Sequence, residues 1–214
     1  MKKSILIDVD DCILDVTRRK RAIFSILLGR RITIKEIIGK RTVEVLINYL
    51  PKEKVSEYRH KFWSIALCVD PIGKEFIHLD RPVPFSRRIL RILSRKYEIF
   101  YITNRIASMH EITLNTLKKF GFPFYWNLIS ADDYTFLKSE NGRKTVIAKL
   151  PKDREYIAVV DDLPENYTYY KQMNIPEIIG FMKYIVLDER KFLENGATYV
   201  MSDWREFPLD RLLT

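Results

Sequence analysis

The chain has 214 residues, 47% of them hydrophobic and 30% charged, with a formal net charge of +9. That is length enough for one domain plus an insert, and an ordinary globular composition, which excludes a disordered or fibrous chain. No uninterrupted apolar run could cross a bilayer, Met1-Lys2-Lys3-Ser4 leads straight into a strand pattern rather than a signal peptide, and Cys12 and Cys68 are too few for a disulfide framework.

Residues 5 to 9 carry four apolar side chains and read as a buried parallel strand that ends in acid, Asp8 and Asp10. From Val16 to Leu28 the apolar period becomes helical, with Gly29 placed to stop the helix. Thr33 can cap a short helix through Ile38, Arg41 to Leu50 forms another before Pro51, and Lys52 to Val69 is a long amphipathic helix. Nothing from 16 to 79 alternates like a strand, so that segment reads as an all-helical insert. It holds 14 Lys/Arg against 6 Asp/Glu, a net of +8, whereas the remaining residues hold 23 against 22.

Arg81-Pro82-Val83-Pro84 is a stiff extended hinge, after which helix and strand alternate. The pattern predicts a helix over Phe85 to Lys96, a strand over Glu98 to Thr103, and a helix over Ser108 to Phe120 closed by Gly121. A short strand at Leu128 to Ser130 and a helix from about Asn141 to Leu150 follow. Tyr156 to Val160 is the next strand, then a helix over Pro164 to Met173, a strand over Ile178 to Phe181, a strand over Ala197 to Val200 and a helix from Asp203. The expected fold class is α/β: a Rossmann-like parallel sheet with helices on both faces, formed by residues 1–15 and 80–214, plus a small helical domain over 16–79.

The chemistry falls at strand ends. Asp8 and Asp10 stand two apart, so both carboxylates can point the same way, and two carboxylates together favour a divalent ion between them. Tyr156-Ile-Ala-Val-Val-Asp161-Asp162 repeats the design, a buried run and then paired acids. Thr103, Asn104 and Arg105 bring a hydroxyl, an amide and a guanidinium to a third strand end, all fit to bind phosphate oxygens. A lysine is expected to offset the acids and a phosphate; Lys144 and Lys138 compete for that place.

In this order, Asp-x-Asp, Thr-Asn, Lys and Val-Val-Asp-Asp, the residues resemble the haloacid dehalogenase (HAD) superfamily of phosphohydrolases over nearly the whole chain, and the helical insert looks like that superfamily's type 1 cap. The resemblance implies a two-step phosphomonoester hydrolysis on a small phosphorylated substrate, a nucleotide or other multiply anionic ester among the candidates. Asp8 would be the nucleophile and Asp10 the acid and base. Asp8, the Asp10 carbonyl and Asp161 would hold Mg²⁺, with Asp162 a further ligand or a support behind the ligands, while Thr103 and Lys144 would neutralise the phosphoryl charge. Asn104, Arg105, Lys138 and Arg18 are the candidate substrate contacts. Where the family has Gly-Thr after the second acid, this chain has Asp11-Cys12. A phosphomutase would share every one of these residues, and a silent, basic nucleic-acid-binding protein is the reading from another class, not favoured because the site residues are intact. The expected setting is cytoplasmic, without a membrane partner. A single glutamine, Gln172, among abundant Lys, Arg, Glu and Ile suggests a thermophilic source.

Overall fold

A computed structural model of the chain describes residues 2–132, 142–183 and 188–213. The backbone divides into two compact units, Met1–Leu14 with Pro82–Thr214, and Asp15–Arg81. The two crossings, Leu14–Asp15 and Arg81–Pro82, form a two-stranded ribbon.

The first unit is built on six strands: β1 (Lys2–Asp8), β2 (Glu98–Ile106), β3 (Leu128–Ala131), β4 (Arg154–Asp161), β5 (Glu177–Phe181) and β6 (Tyr199–Met201). Their order across the sheet is β3-β2-β1-β4-β5-β6 and every pairing is parallel. β1 lies in the middle, with Ile5, Leu6 and Ile7 wholly buried. Strand order reverses there: the chain moves outward on one side through β2 and β3, then returns to the other through β4. A doubly wound sheet binds its ligand outside the carboxyl ends of its strands at such a reversal.

The second unit contains α1 (Thr17–Leu27), α2 (Ile34–Ile37), α3 (Thr42–Leu46) and α4 (Lys52–Ala66), followed by a 3₁₀ segment over Pro71–Leu79. Its own core joins Ile23, Phe24, Val45, Leu46, Phe62 and Ile65, with the Phe24 and Phe62 rings stacked at 4.4 Å. α1 ends as expected at Gly29, whose φ of +60° suits a residue without a side chain. Of the basic run at the start of α1, Arg19 is buried within this unit. Its Nε lies 3.0 Å from Asp80 Oδ1, and its Nη1 donates to the Ala66 carbonyl at 3.1 Å.

The sheet is flanked by α5 (Ser86–Leu93), α6 (His110–Lys119), α7 (Gly142–Ala148), α8 (Tyr167–Gln172), α9 (Glu189–Asn195) and α10 (Leu209–Leu213). Leu6, Phe100, Ile102 and Val159 of the strands pack with Val146 and Leu150 from around α7 and with Tyr167 and Tyr170 of α8. Among the described residues no helix is long and apolar enough to cross a membrane.

Candidate active site

Strand register brings the acids together. Ile7 pairs with Val160, and Asp8 with Ile102, so Asp8 and Asp161 end two neighbouring strands and Thr103, inside β2, stands within a residue of the same level. All three are buried, at 5%, 0% and 1% exposure. Burial raises the Asp8 carboxyl from an ordinary 3.8 to about 8; Arg143 works against that shift, while the charges of Asp161 and Asp10 add to it.

The cation facing these acids is Arg143, from the first turn of α7. It is 1% exposed, pairs with Asp8 through Nη2, and places the same nitrogen 3.2 Å from Asp161 Oδ2. Lys144, its neighbour, is exposed on α7, and Lys138 lies outside the described residues. The sequence carried a signal for this. Positions 143, 146 and 150 share one helical face, and Val146 and Leu150 are buried, so that face turns Arg143 inward and leaves Lys144 outside.

Arg105 also departs from expectation. Read as a phosphate ligand at a strand tip, it is buried at 1% exposure and grips Asp10 instead. Nη2 stands 2.5 Å from Asp10 Oδ1, Nε lies 3.0 and 3.2 Å from the two carboxylate oxygens, and Nη1 donates to Thr113 Oγ1 at 3.2 Å. The physical reason is a register shift in β2 between Thr103 and Ile106, which extends the strand beyond its expected end and re-aims the residues in between. Thr103 Oγ1 accepts the Arg105 amide at 3.1 Å. Asn104 is exposed; a Cβ built on Gly142 would stand 3.2 Å from its Oδ1, so the start of α7 runs close by it.

The two acids at the end of β4 have different surroundings. Asp161 is held by its own surroundings, accepting the Leu163 amide at 2.8 Å, Asn166 Nδ2 at 3.0 and 3.2 Å, and the Tyr170 hydroxyl. Asp162 is half-buried, and its carboxylate, that of Asp8 and the Cys12 sulfur all lie within 4.8 Å of one another. Of the two acids expected around the ion, Asp162 is thus the one that stands beside Asp8 and Cys12, while Asp161 is bound by its own surroundings. The two carboxylates of Asp8 and Asp162 are a donor set suited to a hard divalent ion.

Between the two acidic strand ends runs the departure noted at Asp11-Cys12. Asp11 adopts the left-handed region (φ +61°) that glycine would take without strain. It is held by its amide, which donates to the Leu14 carbonyl at 2.7 Å, and by Lys183 Nζ at 2.5 Å from Oδ1. Cys12 is wholly buried, and the Trp204 indole N–H donates to its carbonyl at 2.8 Å. Arg18, the remaining candidate contact, is exposed on α1 in the second unit.

No family model matches the chain, and no curated protein matches it in sequence. Solved structures do. A predicted phosphatase from Clostridium acetobutylicum matches at a TM-score of 0.64 and 12% identity, over 100% of both chains. A HAD-superfamily hydrolase of subfamily IA from Geobacter sulfurreducens matches at 0.60 and 16% identity, over 100% of this chain and 97% of that one. A HAD family hydrolase from Deinococcus radiodurans, solved with bound phosphate and sodium, matches at 0.57 and 11% identity, over 98% and 95%.

Proposed function

From a chain that carries the fold of haloacid dehalogenase-like hydrolases, we propose a Mg²⁺-dependent phosphomonoester hydrolase working through an aspartyl-phosphate. One observation carries the reading: Asp8, buried at the carboxyl end of the central strand where strand order reverses, faces Arg143 on one side and Asp162 on another. An isolated buried carboxylate would be costly, and a cation-lined site around it is what nucleophilic catalysis on phosphate needs.

In the first step an Asp8 oxygen attacks phosphorus and the bond from phosphorus to the ester oxygen breaks. Asp10 delivers its proton to the leaving oxygen. In the second step water attacks the phosphorus of the aspartyl-phosphate, Asp10 takes the proton, and phosphate leaves with the Asp8 carboxylate restored. Arg143 offsets the charge on the transferring group, the role expected of Lys144, and Thr103 supplies a hydroxyl to the same oxygens. Arg105 aims the Asp10 carboxyl. Asp8 and Asp162 would hold Mg²⁺, which when bound supplies the remaining positive charge. The substrate class is a small phosphorylated metabolite; Arg18 and the basic surface of residues 16–79 favour one with a second anionic group.

Turnover of p-nitrophenyl phosphate with and without Mg²⁺ tests the proposal. Asp8→Asn should lose about 10³-fold or more, since an amide neither attacks phosphorus nor binds the ion well. Retained turnover in Asp8→Asn would refute it.

A further inference from the structure

The sulfur of Cys12 is left over by that mechanism, and its placement is specific. The side chain is wholly buried, and no hydrogen bond to its sulfur is found among the described residues. It lies within 4.8 Å of oxygens of both carboxylates assigned to the cation. Its backbone is pinned: the Cys12 carbonyl accepts from Trp204, itself wholly buried, stacked on Phe207 at 5.6 Å and packed against Phe181 at 6.0 Å. The loop is closed on either side of it, where the Val9 carbonyl accepts the amides of Ile13 and Leu14 at 3.1 and 2.9 Å.

We propose that Asp8, Cys12 and Asp162 form a mixed oxygen and sulfur site that takes a thiophilic divalent ion, of the zinc, cobalt or cadmium class, through Cys12 Sγ. The inference rests on the cation site assigned above and adds to it a choice of metal. A hard ion such as Mg²⁺ is served by the two carboxylates and gains nothing from sulfur. A borderline or soft ion gains a strong third ligand, the S–H proton leaving to solvent as the sulfur–metal bond forms. Donors on one tetrahedral ion stand roughly 3.5 Å apart, given bonds of about 2.1 Å to oxygen and 2.3 Å to sulfur, so side-chain movement on the order of 1 Å closes the set. A hydroxyl in place of the thiol would give a weaker ligand with no such preference. This chain would therefore bind thiophilic ions more tightly than Mg²⁺ and exchange one for the other with the metal supply.

Titrating the purified, metal-stripped full-length protein with Co²⁺ tests this by absorbance, with binding followed independently by equilibrium dialysis. The wild type should develop a thiolate-to-cobalt charge-transfer band in the near ultraviolet at one equivalent. Cys12→Ser should lose the band and weaken Co²⁺ and Cd²⁺ at least tenfold while leaving Mg²⁺ affinity within about threefold, since the oxygen donors remain. Cys68→Ser, altered in the other unit, should keep the band. Cobalt bound without the band, a band that survives in Cys12→Ser, or a parallel loss of Co²⁺ and Mg²⁺ affinity would overturn the sulfur ligand and leave the oxygen site standing. No cobalt binding at all would overturn this proposal and the metal-dependent reading together.

Discussion

At the scale of single residues the site is a balance of buried charge. Asp8 and Asp161 share one guanidinium, and Asp10 has its own in Arg105. Removing Arg143 leaves two buried carboxylates facing each other, so Arg143→Ala should cost about 10²–10³-fold in kcat, whereas Lys144→Ala, on the exposed side of α7, should stay within about twofold. Steady-state kinetics of the pair checks this; equal losses would return the role to the lysine. Asp8 also couples folding to pH. With a folded-state value near 8 against an unfolded 3.8, the metal-free protein binds the extra proton when folded, so stability falls as pH rises through that window and levels off above it. Melting temperature measured in chelator from pH 5 to 8 should therefore fall more steeply in the wild type than in Asp8→Asn, whose amide does not titrate. Mg²⁺ should flatten the difference, and identical slopes would contradict the buried charge.

At the scale of elements, much was legible and the misses have causes. The alternation of apolar strands with helices after the Pro82-Val83-Pro84 hinge was plain, because a parallel sheet buried on both faces writes itself as continuous apolar runs such as Ile5–Ile7 and Ala158–Val160. What escaped were features set by tertiary geometry. The register shift in β2 leaves no mark in hydrophobic period, so Arg105 could not be seen turning onto Asp10. Nor does an acidic pair say which acid faces out; that is decided by Tyr170 and Asn166, which hold Asp161 in. Tyr170→Phe removes one hydrogen bond to a wholly buried carboxylate and should destabilise the protein by about 1–3 kcal/mol in chemical denaturation. An unchanged midpoint would mean that the hydroxyl does not hold Asp161.

At the scale of the whole molecule, charge is segregated. Residues 16–79 hold a net of +8 of the total +9. Part of that is structural, since Arg19 is consumed by Asp80, but Arg21, Arg30 and Arg31 line a depression on the second unit. If this surface draws substrate, kcat/KM for an ester bearing a second anionic group should fall about fivefold or more between low salt and 0.5 M, and that for a neutral-bodied ester far less. Parallel salt responses would reduce the basic segment to surface. The central claim, that Asp8 carries the phosphoryl group, has a direct measurement. Asp10→Asn, slowed in the step that needs a base, is mixed with substrate and Mg²⁺, quenched in acid, and the peptide containing Asp8 is weighed. The mass of one added phosphoryl group on Asp8 is the result expected; an unmodified Asp8 in a protein that still turns over, or the group on another side chain, would contradict it.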